Sequence, residues 1–424
     1  MRFGKTLASL VVAGATTIGA NSIRADIDFQ RIDLGSGAGY GEVMGDSIAL
    51  ATDKNRNITH ALYQLDGKLY HSDSTDNFVN KTVISDSFAV YGNLSADVDS
   101  SGNVHAIFNS WSGTNSISPS GVYYLNTRDL NLVHLNAGNN GEDLSLRVDK
   151  NDKLYIGAQR VEPGYDMDIV LFNSTNYQTF NETVIHKPAN QMDPALDIDS
   201  QGNVHLTYFD WSDGVGPPGP SGPSGLYKLR YRNSLDGYTS ETTFSPADQS
   251  FDGDLRIDSN DNVWIAYKDS TESLPGEPFQ SGLVWLTDKD SGWQRTKIND
   301  GLAYFNQDKR VGFEIDENDI KHVAWLESIY GEGSSTIFYA NTSGVREVVD
   351  TQDYISSDIR ISASSQDIFL LANGIPDWNQ FGEAHSFLYE NSIPEPSTAL
   401  LVTGGLVGLL ASRRKQREKT LNNV

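Results

Sequence analysis

A unit that recurs along most of the chain sets the strongest constraint on its fold. Each copy has an alternating apolar strand, a tight turn opened by Asp, and a second strand that ends in an aromatic residue. The leading Asp accepts hydrogen bonds from its own turn, and a Gly, Asp or Asn late in the turn tolerates a left-handed backbone. The turns of six copies open with Asp53, Asp99, Asp149, Asp199, Asp258 and Asp316, and a degenerate seventh copy covers 359–371.

In a complete copy two further strands follow the second strand, so that a unit has four strands and roughly 52 residues. This period is typical of the blades of a β-propeller. The sequence therefore predicts an all-β fold, a single seven-bladed β-propeller over residues 26–392. The seventh copy ends after its third strand, and residues 29–33 resemble a fourth strand. We expect this N-terminal strand to close the ring, because closure removes exposed strand edges.

Residues 1–25 predict a signal peptide. They begin with Arg2 and Lys5, continue with a mild apolar run from Leu7 to Ala20, and end with small residues. This order is typical of a secretory signal that is too short to span a membrane as a mature helix. Cleavage after Ala25 and cleavage near Ala20 both fit the pattern, and a buried N-terminal helix is the alternative.

Residues 393–424 form a tail in three parts: a short motif, an apolar run and a basic cluster. The apolar run, 399–411, is roughly 20 Å long as a helix. Local thinning and flanking residues can fit it to a bilayer core of about 30 Å. The basic cluster favours a cytoplasmic C-terminus with the body outside. The motif and the cluster are marked by Pro394, Glu395, Pro396, Ser397, Arg413 and Arg414.

This tail resembles the PEP-CTERM sorting signal of Gram-negative bacteria in the order, spacing and terminal position of its parts. The resemblance covers only the tail, and it implies recognition by an exosortase, a membrane enzyme that cleaves near the Pro-Glu-Pro motif. It also implies export across the inner membrane, anchoring by the C-terminal transmembrane helix, and a cell-surface or extracellular location after processing. A permanent single-span anchor is the alternative. The tail indicates location and says nothing about activity.

Composition narrows the classes of partner. The chain has no cysteine, so an exported fold must be stabilised by apolar burial and strand pairing. Its formal net charge is −24, which excludes nucleic acid as a favoured partner. The body is broadly similar to secreted sialidase-type propellers, but it lacks their Ser-x-Asp-x-Gly-x-Thr-Trp box. No catalytic residue is therefore assigned by that resemblance.

Residues that recur in nearly every copy are expected to serve the blade. The turn Asp residues lack the acidic ladder and the distal bidentate Glu of a calcium loop. The recurring histidines lie at equivalent places on different blades, where they cannot converge on one zinc ion. No metal or cofactor is predicted, and calcium is the weak alternative that the turns leave open. The recurring histidines are His60, His105, His205 and His322.

Ligand binding is expected where the copies differ, in the loops between second and third strands, which all emerge on one face. Tryptophans at the root of these loops could stack on sugar rings while neighbouring carboxylates bind sugar hydroxyls. The alternative is that these rings pack between blades or under the loops. The predicted ligand-binding residues are Trp111, Trp211, Asp210, Asp213, Asp269, Trp325, Glu327 and Trp378.

The leading hypothesis is a non-catalytic surface propeller that binds glycans or matrix components. A polysaccharide-active hydrolase or lyase and a structural matrix protein are the alternatives. Glycosidases need two carboxylates about 5–10 Å apart, and carboxylates are plentiful on this face, so their presence does not decide the matter. Arginine is sparse there, which argues against a uronate-clamping site. The expected partners are the export translocase, signal peptidase, an exosortase and extracellular polysaccharide.

Overall fold

The computed structural model describes residues 29–37, 48–65, 68–85, 90–110, 121–135, 144–161, 167–185, 191–210, 228–244, 250–269, 280–288, 292–298, 303–304, 311–328, 335–343, 346–352, 354–376 and 384–392. Their strands form seven antiparallel sheets whose innermost strands contact one another in a closed ring. The prediction of an all-β, seven-bladed propeller is confirmed. The predicted signal peptide and sorting tail lie outside the described residues. Within the described ranges, no helix is both long enough and apolar enough to cross a membrane.

Each blade contributes its first strand to the centre of the ring and its fourth strand to the rim. Blade 1 comprises β2 (Ile48–Asp53), β3 (Ile58–Leu65), β4 (Lys68–Asp73) and β5 (Thr82–Ser85). Blade 2 comprises β6 (Val90–Val98), β7 (Val104–Ser110), β8 (Gly121–Asn126) and β9 (Val133–Leu135). Blade 3 comprises β10 (Leu144–Val148), β11 (Leu154–Val161), β12 (Met167–Ser174) and β13 (Asn181–Ile185).

The remaining blades follow the same order. Blade 4 comprises β14 (Gln191–Ile198), β15 (Val204–Asp210), β16 (Lys228–Asn233) and β17 (Thr242–Thr243). Blade 5 comprises β18 (Ser250–Ile257), β19 (Val263–Asp269), β20 (Gln280–Thr287) and β21 (Gln294–Lys297). Blade 6 comprises β23 (Gly312–Ile315), β24 (Lys321–Ser328), β25 (Ser335–Asn341) and β26 (Arg346–Gln352). Blade 7 comprises β27 (Tyr354–Ala363), β28 (Asp367–Pro376), β29 (Ala384–Ser392) and the N-terminal β1 (Gln30–Gly37). The short β22 (Ala303–Tyr304) pairs with β20, and 3₁₀ turns lie at Ser74–Asp76 and Ser234–Asp236.

The N-terminal strand closes the ring as predicted. β1 pairs antiparallel with β29 from Gln30 opposite Glu390 to Gly37 opposite Ala384. The Arg31 guanidinium lies 3.8 Å from the centre of the Phe387 ring, an arrangement favourable for a cation–π contact. The first and last described strands therefore belong to one sheet, and the edge of β29 is covered.

The Asp turns are built as the sequence predicts. In blade 2, Oδ1 of Asp99 accepts hydrogen bonds from the backbone N–H groups of Ser101 and Asn103 at 2.9 and 2.8 Å. Gly102 has φ +83°, a left-handed conformation that glycine adopts without strain. In blades 3, 5 and 6 an Asp takes this position with φ near +60°. These residues are Asp152, Asp261 and Asp319.

The left-handed Asp residues also join neighbouring blades. Asp152 of blade 3 accepts hydrogen bonds from the N–H and hydroxyl of Ser100 in blade 2, at 2.8 and 2.7 Å. Asp261 makes the same pair of contacts with Ser200, at 2.8 and 2.7 Å. The backbone N–H of each Asp closes its own turn, and its side chain binds the turn of the preceding blade, which links neighbouring blades at the turn face.

Apolar clusters fill the spaces between blades. Leu62 of blade 1 and Phe108 of blade 2 belong to one fully buried cluster, and equivalent clusters join the later blades. Burying one such side chain contributes about 1.5–3 kcal/mol. Because each blade buries its faces against two neighbours, the ring is a rigid support for the loops at its ends.

Candidate functional site

The two faces of the ring differ in what the structure describes. We call the face that carries Asp99 and its equivalents the turn face, and the opposite face, where the second strands end, the loop face. The long loops of the loop face lie largely outside the described residues. Four predicted ligand-binding residues, Trp111, Trp211, Asp213 and Trp378, lie in that part of the chain. Their role stays a prediction.

Trp325 does not offer its ring to a ligand. Its exposed fraction is 0%, and its ring stacks on Phe338 with centroids 5.3 Å apart. The prediction that this Trp contributes to an exposed aromatic surface is therefore wrong. The reason lies in the repeat, because the same position of the second strand carries a buried aromatic ring in four other blades. These rings are Tyr63, Phe108, Tyr208 and Tyr267.

The three described acids of the predicted site share one structural position. Asp210, Asp269 and Glu327 are each the fifth residue after the position that His205 occupies in blade 4. Each therefore lies where the second strand of its blade meets the loop face, on three consecutive blades. We call these three residues the acidic arc. Blade 2 has Ser110 at this position, and blade 3 has Arg160.

Asp210 is buried, with 1% exposed, and is held by a charged cluster. Its Oδ2 lies 3.0 Å from Arg230 Nη2, and Arg230 Nη1 lies 3.1 Å from Oε1 of Glu241. The other oxygen, Asp210 Oδ1, is buried without a hydrogen-bond partner. An unsatisfied buried oxygen costs free energy, so the ion pair with Arg230 must offset that cost.

The same cluster corrects the expectation that arginine is sparse on this face. Arg230 reaches Asp210 from the neighbouring strand, and Arg160 lies at the end of β11, 2.6 Å from Glu182. The sequence hides this arrangement because Arg230 follows Asp210 only after a long loop. Both guanidinium groups are already paired with carboxylates, so neither is an unpaired clamp for a uronate.

Glu327 is a partly buried carboxyl that a neighbouring indole holds in place. Burial raises the pKa of its carboxyl, although the indole N–H of Trp325 and the cation Arg346 favour the charged form. Trp325 Nε1 donates to Glu327 Oε1 at 2.8 Å, which fixes the orientation of the carboxylate. The buried Trp therefore positions an acidic side chain of the loop face instead of contacting a ligand itself. Sequence reasoning named both residues and missed this relation.

The recurring histidines connect strands within a blade. Nδ1 of His105 lies 2.7 Å from the hydroxyl of Tyr124 on the next strand, and its Nε2 lies 3.3 Å from Oδ2 of Asp99. His205 makes the equivalent contacts with Tyr231 and Asp199, at 2.6 and 3.4 Å. These His–Tyr pairs are buried near the turn face. Their repetition indicates a role in holding the strands of each blade together, not in acid–base catalysis.

Charged side chains of alternating sign surround the central channel on the innermost strands. They occupy the position two residues before the turn Asp in blades 2 to 6. Arg256 Nε lies 3.1 Å from Glu314 Oε2, and Lys54 Nζ of blade 1 lies 3.2 Å from Glu314 Oε1. We call these five residues the charge ring: Asp97, Arg147, Asp197, Arg256 and Glu314.

The charge ring lies at the turn-face end of the channel, beside a cavity of about 80 Å³ that the innermost strands line. Its groups bind one another and the backbone of the next blade. Asp97 Oδ2, for example, accepts from the N–H of Val148 at 2.8 Å. The channel end at the turn face is thus occupied by paired charges, which leaves the loop face as the side suited to ligand binding.

Comparison with known proteins identifies the tail and the fold. Residues 392–415 match the PEP-CTERM protein-sorting motif, which confirms the resemblance seen in the sequence and implies an exosortase as the processing partner. No curated protein matches this sequence. The fold is similar to that of a polysaccharide lyase described as a PL25 ulvan lyase, with a TM-score of 0.56 at 12% identity, over 86% of this chain and 96% of that chain.

Two further solved structures show the same fold. A PL25 ulvan lyase bound to -[GlcA(1-4)Rha3S]- aligns with a TM-score of 0.55 at 12% identity, again over 86% of this chain and 96% of that chain. The polysaccharide lyase Uly1 aligns with a TM-score of 0.51 at 8% identity, over 88% of this chain and 94% of that chain. At these identities the similarity concerns the fold alone.

Proposed function

We propose that the chain is an exported, exosortase-sorted surface propeller whose loop face binds a polysaccharide of uncharged sugars. The observation that carries the proposal is the contrast between the two faces. The turn face repeats the same Asp and His contacts from blade to blade, whereas the loop-face position of the second strand changes from Ser110 to Arg160 to the acidic arc. Differences between blades on a rigid ring are suited to recognition.

The charges support uncharged sugars in preference to uronates. Three consecutive blades carry an acidic residue at the loop-face end of the second strand, and the chain as a whole has a net charge of −24. Carboxylates accept hydrogen bonds from sugar hydroxyls, whereas they repel anionic sugars. Three solved structures that align with a TM-score above 0.5 are of polysaccharide lyases, which supports a polysaccharide as the class of ligand.

A glycan array probed with the full-length protein tests the proposal. We expect binding to uncharged polysaccharides, little binding to uronate-rich ones, and loss of binding in Trp111→Ala and Trp211→Ala. Trp293→Ala is the matched control, because Trp293 packs on Phe244 at the start of β21, on the turn face. Equal binding by all three variants, or a preference for uronates, would contradict the proposal.

A second candidate, a hydrolase or lyase acting at the loop face, is favoured by one observation. Burial raises the pKa of Glu327, as it does in general acids that must carry a proton near neutral pH. A turnover screen on the same polysaccharides separates the two functions. Product release by the native chain that falls at least about 100-fold in Glu327→Gln would establish the enzyme, and binding without turnover would establish the binding module.

The sorting proposal concerns the tail. The motif at 392–415 supports export and membrane-associated processing, and we propose that the apolar run 399–411 holds the precursor in the membrane before exosortase cleavage. Replacing Pro394 and Glu395 by Ala should leave the precursor uncleaved in the membrane fraction. Continued release of a shortened protein into the medium would contradict recognition at this motif.

A further inference from the structure

Blade 1 departs from its sister blades at three side chains that face one another across two strands. In blades 2, 4 and 6 the second strand carries a His that contacts a Tyr hydroxyl on the third strand, with an Asn two residues after the Tyr. In blade 1 the equivalent positions hold His60, His71 and Asp73. Strand register proves the equivalence, because His60 is paired with Asp73 as His105 is paired with Asn126.

The replacements turn a hydrogen-bonded set into a set of metal ligands. Tyrosine gives way to imidazole and the amide gives way to carboxylate, and both new groups bind borderline divalent cations. One ligand atom from each of the three side chains lies within 4.8 Å of the others. Nδ1 of His60 and Nε2 of His71 are 3.0 Å apart and share a hydrogen bond in the metal-free structure; this distance is close to the separation of about 3.3 Å that tetrahedral zinc imposes on two nitrogen ligands.

We propose that His60, His71 and Asp73 bind a divalent transition-metal ion of the zinc class, with water completing a tetrahedral shell. The metal links the second and third strands of blade 1, as the His–Tyr bond does in the sister blades. Two imidazoles and one carboxylate suit zinc, copper or nickel, whereas calcium prefers oxygen ligands throughout. Calcium was the alternative that the Asp turns left open. Because two of the three donor groups here are imidazoles, calcium is excluded as the ion at this site.

The local structure holds the carboxylate in place and leaves the site accessible. Asp73 Oδ1 accepts from the backbone N–H of Thr75 at 2.9 Å, and this cap on the 3₁₀ turn fixes the carboxylate. His71 and Asp73 are half-buried, so that an ion and its water can reach the site.

Sequence reasoning missed the site because it compared histidines only with the equivalent histidines of other blades. His71 and Asp73 lie on the third strand, where the sister blades have no ligand of this kind at those two positions. An alignment of the third strands of all blades finds the site, because His71 then occupies the position that is Tyr124, Tyr231 or Tyr339 in the sister blades.

Equilibrium dialysis of the full-length protein against Zn²⁺, with Co²⁺ absorption as a report of tetrahedral geometry, tests the proposal. We expect one Zn²⁺ per chain, and a rise in Tm of about 3 °C or more at a hundredfold excess over Kd. The double variant His71→Tyr with Asp73→Asn restores the composition of blade 2, which folds with those residues. It should bind Zn²⁺ at least about 100-fold more weakly.

The matched control is His134→Gln, because His134 is an exposed histidine in a blade that has its His–Tyr pair. It should keep the native affinity and stoichiometry. Asp73→Asn alone gives a second, milder test, with an expected loss of about tenfold. Unchanged affinity in the double variant, loss in the control, or no binding at micromolar Zn²⁺ would each overturn the proposal.

Discussion

Replacing Glu314 by Gln should remove a large part of the stability that the charge ring contributes at neutral pH. Burial alone would raise the pKa of Glu314, but the cations Lys54 and Arg256 outweigh it and lower the pKa to about 2. The difference from the usual value of 4.5, at about 1.4 kcal/mol for each pKa unit, corresponds to about 3 kcal/mol of stability at pH 7.

The sign of the pH dependence follows from the lowered pKa. A carboxyl whose pKa is lower in the folded chain stabilises the fold above its unfolded pKa, and this stabilisation is lost as the pH falls toward the folded value. The stability difference between the native chain and Glu314→Gln should therefore be about 3 kcal/mol at pH 7. It should shrink to less than half between pH 4.5 and pH 3, because protonated Glu314 resembles Gln.

Urea unfolding at pH 7 and pH 3, followed by tryptophan fluorescence, measures both quantities. Asp129→Asn is the control, because Asp129 and its partner Arg128 are 3.7 Å apart and both exposed. A surface pair of this kind contributes little, so the control should shift the free energy of unfolding by no more than about 0.5 kcal/mol. The reasoning is refuted if Glu314→Gln unfolds like the native chain at pH 7, or if its deficit is the same at both pH values.

Three further predictions test the scaffold. Trp325→Ala should lower the free energy of unfolding by about 3–5 kcal/mol, whereas Trp325→Phe, which keeps a buried ring but removes the N–H donor to Glu327, should cost less stability, as urea unfolding of both variants will show. Asp199→Ala removes the acceptors for Asn203 and Gln201 in its turn and should cost about 2–3 kcal/mol in thermal unfolding. Deleting residues 29–37 should expose the edge of β29 and produce oligomers in light scattering, and a monomeric product would contradict the role of β1.

The closed ring was predictable from the sequence because a single copy of the repeat cannot bury both faces of its own sheet. A four-stranded sheet buries both faces only against its neighbours, so seven copies in one chain require a closed arrangement. The missing fourth strand of the seventh copy pointed to residues 29–33 for the same reason, and β1 begins there. In the degenerate turn, Ser364 takes the role of Asp and accepts from the N–H of Asp367 at 3.0 Å.

The site was predictable only in part, because contacts between neighbouring strands join residues that a long loop separates in sequence. Asp210 was named, but its partner Arg230 was not, since strand register decides which side chain of β16 lies beside it. Trp325 was misplaced for a different reason. The rule that a repeated residue serves the blade was applied to Asp and His but not to the aromatic that ends each second strand, and that rule would have placed Trp325 in the core.

The direction of the last strands gives the ring an orientation relative to its sorting tail. β29 runs from the loop face to the turn face and ends at Ser392, which is paired with Asp367 beside the last turn. Because the last described residue lies at the turn face, we expect a precursor held in the membrane by 399–411, as proposed above, to present its loop face outward.

Single cysteines test this orientation, because the native chain has none. Lys68, exposed at the loop-face start of β4, and Asn260, exposed in a blade 5 turn, provide matched positions on the two faces. In membrane vesicles that hold the uncleaved precursor with its body outward, a bulky maleimide should label Lys68→Cys faster than Asn260→Cys. The two rates should converge once detergent releases the chain. Faster labelling of Asn260→Cys in the vesicles would place the turn face outward and would remove the argument that sorting presents the loop face to external polysaccharide.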